Sequence, residues 1–161
     1  MNIAELRELA LDLLRRSDRL SREMKIDAYL LAELEARFGT VTRQHPLRFA
    51  SSERDSRIDF RLGGSNPVLL ELAVRPADGA CQLYGSQNKP ELFKLTRWPQ
   101  TQVKLRALLL MDFATKPLES ERLRSTYISI NAGRGRFERN PIRVVYVHDK
   151  LQYHFIWQPW A

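Results

Sequence analysis

Residues 57–75 read RIDFRLGGSNPVLLELAVR, two strand-like segments joined by a turn rich in glycine, asparagine and proline. In the first segment Ile58, Phe60 and Leu62 alternate with polar residues, the two-residue period of a β-strand with one buried face. In the second segment the same period places residues 70, 72 and 74 on one face and residues 71, 73 and 75 on the other. The stretch therefore predicts two neighbouring β-strands.

Each predicted strand carries one acidic residue, Asp59 in the first and Glu71 in the second. Glu71 interrupts an apolar run that is typical of a strand covered on both faces. If the strands pair, the two carboxylates converge, and their repulsion favours a divalent cation or a shared proton. The alternative is that arginines neutralise both acids, with Arg57 or Arg61 beside Asp59 and Arg75 or an arginine across the sheet beside Glu71.

The composition predicts one domain over residues 1–161, with N-terminal helices at 1–38 and a sheet core with flanking helices at 40–161. A single cysteine, Cys81, excludes an internal disulfide, and three histidines do not favour a zinc cluster. Acidic residues interrupt the apolar ones near the N-terminus, which is typical of neither a secretory signal nor a transmembrane span. We therefore expect a cytoplasmic protein without membrane association.

The formal net charge is +7, and it is unevenly distributed. Residues 1–38 contain seven lysines and arginines against eight acidic residues, whereas the rest of the chain contains nineteen against eleven. An excess of positive charge outside the N-terminal helices is consistent with a polyanionic partner. A basic protein that binds no polyanion is the alternative.

The order of predicted elements indicates an α/β fold, a central mixed β-sheet flanked by helices. Further helices are predicted at 3–16, at 24–38, at 88–97 and shortly before residue 124. Further strands are predicted at 40–44, 47–49, 81–84, 104–113, 127–130, 142–148 and 151–157. For the apolar run at 104–113, a helix starting near Thr101 is the alternative.

A helix ending in Phe38-Gly39, a strand with RID, a strand with ELA, a helix and an apolar strand together resemble the PD-(D/E)XK nuclease-like superfamily over residues 23–113. The resemblance implies a restriction-endonuclease-like core and metal-dependent hydrolysis of phosphodiester bonds. In that family the strand aspartate and glutamate bind a divalent metal, and a lysine two residues after the glutamate positions or activates water. By this resemblance Asp59 and Glu71 are catalytic residues and ligands of Mg²⁺ or Mn²⁺.

The family lysine is absent, because the residue two positions after Glu71 is Ala73. Two residues along a strand span about 7 Å on one face, a step that would place an ammonium group beside the metal. Replacements come from elsewhere, since lysines have migrated in some family members. The candidates are Lys89 and Lys94 as ammonium donors, Arg75 as a stabiliser of charge and Gln87 as a group that orients water. We predict Lys89 as the catalytic lysine.

Five basic residues are predicted to bind nucleic acid: Arg57, Arg75, Lys94, Arg134 and Arg136. Six arginines lie between residues 122 and 143 against one acid, and two glycines there allow close approach of the backbone to a phosphate chain. A solvated loop is the alternative for this segment. The three tryptophans are candidates for base stacking, with packing in the core or in a dimer interface as the alternative.

Two functions follow from this sequence. The first is a nuclease acting on nucleic acid, DNA rather than RNA, in which loss of the motif lysine impairs hydrolysis. The second is a catalytically inactive nuclease fold that binds nucleic acid or a protein partner. A homodimer is compatible with either function.

Overall fold

The protein, described from a computed structural model, is an α/β structure with one six-stranded sheet. The structure describes residues 1–17, 23–47, 56–97, 102–130 and 141–158. Its elements are α1 (Ile3–Arg16), α2 (Glu23–Phe38), β1 (Val41–Leu47), β2 (Ser56–Leu62), β3 (Val68–Arg75), α3 (Lys89–Arg97), β4 (Leu105–Asp112), α4 (Ser120–Ile128), β5 (Ile142–His148) and β6 (Leu151–Trp157). The predicted fold class, a central mixed sheet flanked by helices, is therefore confirmed.

The strands lie in the sheet in sequence order, from β1 to β6. The first three form an antiparallel meander, β3, β4 and β5 run parallel, and β6 returns antiparallel to β5. The crossovers through α3 and α4 both run in the same direction along the sheet. Because crossover connections between parallel strands are right-handed, the two helices must lie on the same face. Accordingly, α3 and α4 pack on one face, and α1 and α2 pack on the other.

Local sequence signals determine where α1 begins and where α2 ends. The Asn2 side chain accepts a hydrogen bond from the Glu5 backbone amide at 2.9 Å, and the Glu5 carboxylate accepts one from the Asn2 amide at 2.6 Å, which completes a capping box. The apolar stripe of α1 is buried against the sheet. After α2, Gly39 has a φ of +80°, the left-handed conformation in which helices commonly end.

The core consists of two apolar layers, one on each face of the sheet. In β3, Leu70, Leu72 and Val74 join the layer under α1 and α2, whereas Leu69 and Ala73 join the layer under α3 and α4. The alternation predicted for this strand is confirmed. Glu71 therefore lies on the face that α3 covers.

Three predicted strands differ from the structure. β1 continues through His45-Pro46, because a proline is tolerated in a strand at the edge of a sheet. Residues 81–84 form a loop in which the Gln87 side chain bonds to the Tyr84 amide and the Cys81 carbonyl. Tyr127 belongs to α4, where it is buried four residues after Leu123 at helical spacing.

Two further expectations concern the sequence at 47–49 and at 104–113. Residues 48 and 49 lie outside the described residues. The apolar run at 104–113 contains the strand β4, as predicted, and the alternative helix is not formed over Leu105–Asp112; Thr101 lies outside the described residues. Among the described residues, no helix is long and apolar enough to cross a membrane.

Candidate active site

The two acids meet where β2 and β3 stop pairing through their backbones. The ladder between these strands ends at Phe60 and Leu70. Beyond it, the Asp59 backbone amide donates to Glu71 Oε1 at 3.1 Å, and the Leu72 amide donates to Asp59 Oδ2 at 3.0 Å. The side-chain carboxylates thus accept from the amides that the ladder leaves unpaired. The predicted convergence of Asp59 and Glu71 is present in the structure.

The side-chain alternation of β2 reverses at this point. The sequence predicts one buried face containing Ile58, Phe60 and Leu62, but only Phe60 and Leu62 join the layer under α1 and α2. Ile58 is buried in the opposite layer, beneath α3. That prediction is wrong for Ile58, because a strict two-residue period does not hold across Asp59, where the β2–β3 ladder has ended.

An ammonium group completes the acid pair, and it comes from α3. Lys94 Nζ lies 2.6 Å from Glu71 Oε2 and 3.1 Å from the Arg57 carbonyl oxygen. Leu92 and Leu95 are buried on the sheet and anchor the helix, which brings Lys94 over the gap between β2 and β3. A lysine therefore lies beside the acids although residue 73 is alanine.

Burial decides the electrostatics of this three-residue cluster. Glu71 is fully buried, whereas the Lys94 side chain is 21% exposed. Burial raises the pKa of Glu71 well above 4.5, and the charge of Asp59 raises it further, against the opposing effect of Lys94. Burial lowers the pKa of Lys94, but the Glu71 and Asp59 carboxylates outweigh it, and the net change is upward. With all three groups ionised the cluster carries a net charge of −1.

This cluster suits a hard divalent cation. It offers two carboxylates, and each carboxylate oxygen has two lone pairs, of which a hydrogen bond uses one. Asp59 is partly exposed, so the site is accessible to water and to a ligand. In the part of the chain that the structure describes, no three histidine, cysteine, aspartate or glutamate side chains form a metal-binding group. Mg²⁺ is commonly held by one or two carboxylates with waters and substrate phosphates, and the residues present fit that type of site.

The remaining predicted site residues lie at different places. The Lys89 ammonium is 5.4 Å from the centroid of the Phe93 ring, and no hydrogen bond joins it to Asp59 or Glu71 among the described contacts. Arg57 is exposed next to the cluster, to which it contributes its backbone carbonyl. Arg134 and Arg136, together with Trp98 and Trp160, lie outside the described residues.

Arg75 and Gln87 are engaged elsewhere in the described contacts. Arg75 Nη1 forms an ion pair with Asp112 at 3.3 Å. The Gln87 side chain accepts from the Tyr84 amide and donates to the Cys81 carbonyl in the loop before α3. Trp157 is buried, and its ring nitrogen donates to the Tyr127 carbonyl at 3.1 Å, so this tryptophan packs in the core. The core-packing alternative is confirmed for this tryptophan.

A second buried acid, Asp112, is not anticipated from the sequence. It accepts hydrogen bonds from Tyr146 Oη at 2.5 Å and from the Ala114 amide at 3.0 Å, besides the ion pair with Arg75. The only sequence signal is an acid at the end of the apolar run ALLLMD. Parallel pairing of β3 with β4 places Asp112 directly beside Arg75.

Comparisons of the chain with protein-family models, with curated proteins and with solved structures found no match. The function is therefore inferred from the geometry of the cluster formed by Asp59, Glu71 and Lys94.

Proposed function

We propose that this protein is a metal-dependent nuclease in which Asp59 and Glu71 hold Mg²⁺ or Mn²⁺ and Lys94 replaces the family lysine missing at Ala73. The observation that carries the proposal is the 2.6 Å contact between Lys94 Nζ and Glu71 Oε2 at the acid pair. The order of elements also supports it: α2 precedes three antiparallel strands, and α3 leads into the parallel strand β4. A restriction-endonuclease-like core over these elements is part of the proposal.

Each residue of the cluster has a separate task. A bound divalent ion lowers the pKa of a coordinated water and neutralises charge on the phosphate. Asp59 and Glu71 supply the anionic oxygens that hold the ion. The backbone amides of Asp59 and Leu72 fix the two carboxylates, because each amide donates to one of them.

Lys94 acts as a charged donor rather than as a base. Its pKa is raised, although burial alone would lower it, since the neighbouring carboxylates favour the ammonium form. An ammonium group has three N–H donors. Glu71 and the Arg57 carbonyl take two of them, so one N–H remains for a water or a phosphate oxygen. This donor orients the nucleophile or stabilises the developing charge.

Contacts to nucleic acid extend the proposal beyond the cluster. Arg57 is exposed beside Lys94, and the chain carries a net charge of +7, so the surroundings of the site attract a phosphate backbone. The Arg75 side chain lies on the same face of β3 as Glu71, where it forms an ion pair with Asp112. Arg134 and Arg136 stay predicted contacts, and DNA is the preferred polymer.

A second candidate function is a nuclease fold that binds nucleic acid without cleaving it. The observation in its favour is that the acids have structural partners of their own: both accept backbone amides, and Glu71 accepts from Lys94. Such contacts stabilise the acid pair without a metal. In this case Mg²⁺ changes neither binding nor stability.

Cleavage of labelled single-stranded DNA, double-stranded DNA and RNA in Mg²⁺ or Mn²⁺ tests the proposal. We expect Asp59→Asn and Lys94→Met each to lower the rate at least about 100-fold, the scale of losing one pre-organised group. Lys89→Met tests the other lysine, and we expect it to have a much smaller effect. Lys116→Met, an exposed lysine, is the matched control.

The outcomes separate the two functions. Cleavage that survives Asp59→Asn would falsify the assignment of the site. Salt-sensitive binding of DNA by wild type without turnover in either metal would favour the inactive module. A larger loss in Lys89→Met than in Lys94→Met would return the catalytic role to Lys89.

A further inference from the structure

The two edges of the sheet differ in how they are protected against pairing with another strand. Strand β1 at one edge contains Pro46 and the ion-paired residue Arg43, and both proline and charge hinder the addition of a strand. Strand β6 at the other edge, with the sequence LQYHFIW, contains no proline, glycine or charged residue. In the described part of the chain, no strand pairs with its outer side. The outer side of β6 therefore presents a row of backbone amides and carbonyls to which a further strand can add.

Large apolar side chains are exposed on both faces of the sheet beside this edge. Ile156 is 40% exposed and lies on the face of α1 and α2, because Phe155 and Trp157 join the layer under α3 and α4. On the opposite face, Ile128 at the end of α4 is 70% exposed. Trp157 Nε1 donates to the Tyr127 carbonyl at 3.1 Å, which places the next residue, Ile128, close to the end of β6. Exposed apolar residues on both sides of an outer strand indicate an interaction surface.

The charge of this edge favours a second copy of the same strand as the occupant. The chain has a net charge of +7, but none of its lysines, arginines, aspartates or glutamates lies on β6. Burial lowers the pKa of His154, and the charges of Arg143 and Arg7 lower it further, so the imidazole is neutral at pH 7. An acidic peptide or a nucleic acid would find no cation on the strand itself, whereas a second β6 meets no like charge.

Two copies of β6 are complementary when they run antiparallel about a two-fold axis at His154. This register sets Tyr153 opposite the second copy's Phe155, and Gln152 opposite the second copy's Ile156. Each pair occurs twice, and aromatic pairs directly opposite one another stabilise antiparallel strands. A two-fold axis makes the contact isologous, which is the commonest arrangement among soluble oligomers.

The acid cluster lies away from this edge. Strands β4 and β5 separate β3 from β6, so the distance across the sheet is three strand spacings, or about 14 Å. Asp59, Glu71 and Lys94 therefore take no part in the pairing. The contact between copies is a property of the sheet edge and does not depend on cleavage.

We infer that this protein forms a homodimer in which the outer edges of two β6 strands pair antiparallel and join the two sheets into one. Ile128 and Ile156 extend the contact on the two faces of the joined sheet. Both copies carry a net positive charge, and salt screens their mutual repulsion. The dimer is therefore expected to tighten as salt is added, whereas association bridged by nucleic acid weakens.

Sedimentation velocity of the full chain, freed of nucleic acid and run from about 1 to 300 µM, measures the dimer. The variants Ile156→Lys and Ile128→Lys each place a charge beside the edge. The control Tyr29→Lys makes the same change at a 52% exposed apolar residue on α2. We expect the control to dimerise like wild type. Each edge variant should dimerise at least about tenfold more weakly, since every dimer loses two apolar contacts.

A cross-linking experiment keeps the test decisive if an edge variant is less stable than the control. His154→Cys in a Cys81→Ser background places a thiol on the two-fold axis, about 5 Å from its symmetry mate. We expect oxidation to link this variant into a dimer much faster than Lys116→Cys, an exposed control in the same background.

Three results would overturn the homodimer. The first is a wild type that stays monomeric up to about 300 µM. The second is a dimer that neither edge variant weakens and that residue 154 does not cross-link. The third is an association that weakens as salt rises or disappears when nucleic acid is removed, because that behaviour identifies a bridging polyanion.

Discussion

Replacing Glu71 with glutamine removes the buried carboxyl group of the acid cluster. The pKa of Glu71 lies well above 4.5 in the folded protein, first because of burial and then because of Asp59. The folded state therefore binds this proton more tightly than the unfolded state does. The resulting stabilisation is complete below pH 4.5 and is lost as the pH rises towards the folded pKa.

The size of the effect follows from that linkage. Each pH unit between the unfolded and folded pKa values changes the free energy of unfolding by about 1.4 kcal/mol. From pH 4.5, the ordinary value, to pH 7, wild type loses up to about 3 kcal/mol relative to Glu71→Gln. For a chain of this size that is up to roughly 10 °C in melting temperature. Lys94 adds no pH dependence to stability in this range. The stabilisation from its raised pKa is fully present below pH 10.5 and is lost only as the pH rises above that value.

Urea unfolding of both proteins in EDTA at pH 5, 6, 7 and 8 measures the difference. We expect Glu71→Gln to gain stability relative to wild type as the pH rises from 5 towards the folded pKa of Glu71. Glu33→Gln is a control that should show no pH trend over this range, because the Arg16 hydrogen bond lowers the pKa of Glu33 and its stabilisation is lost only as the pH falls below 4.5. A difference between wild type and Glu71→Gln that is constant with pH, or that shrinks as pH rises, would refute the argument from burial.

Wild type and Glu71→Gln also test whether the cluster binds a divalent cation. A divalent ion at the cluster needs ionised Glu71, so it competes with the proton. A ligand that binds only the folded state stabilises it by about 2.7 kcal/mol at a concentration of 100 times its Kd, and this is the effect expected of Mn²⁺ on wild type if it binds as proposed. We expect this stabilisation at pH 8, little of it at pH 5, and none in Glu71→Gln. Equal stabilisation of the variant places the bound metal elsewhere.

Two further predictions concern the lysine and the buried tyrosine. We expect the double variant Ala73→Lys/Lys94→Ala to cleave at least about tenfold faster than Lys94→Ala, because residue 73 lies on the same face as Glu71 about 7 Å away. A folded double variant that is no faster than Lys94→Ala contradicts the equivalence of the two lysine positions. Tyr146→Phe is expected to lower the free energy of unfolding by about 2 kcal/mol, because it removes a donor to buried Asp112 and the acceptor of the Leu118 amide. Urea unfolding beside the exposed control Tyr29→Phe measures it, and a loss no greater than that of the control speaks against the network.

The sequence by itself determined most of the secondary structure and the pairing of the acids. The alternation in β3, the capping box of α1 and the glycine after α2 are local signals, since each depends on residues within a few positions. Adjacent strands joined by a short turn pair in one register, and this brought Asp59 and Glu71 together. Tyr127 was misassigned because a short apolar segment fits a strand and a helix about equally well.

The tertiary structure alone decided which lysine lies beside the acids. Lys94 is 23 residues from Glu71, and its position depends on how the crossover from β3 to β4 places α3 and how Leu92 and Leu95 of that helix pack on the sheet. No local period encodes that contact, and the sequence therefore led to Lys89 rather than Lys94 as the predicted catalytic lysine. The ion pair of Arg75 with Asp112 depends likewise on parallel pairing of β3 with β4, strands separated by a whole crossover. Long-range packing therefore fixed the chemistry of the site, whereas local periodicity fixed the strands that carry its acids.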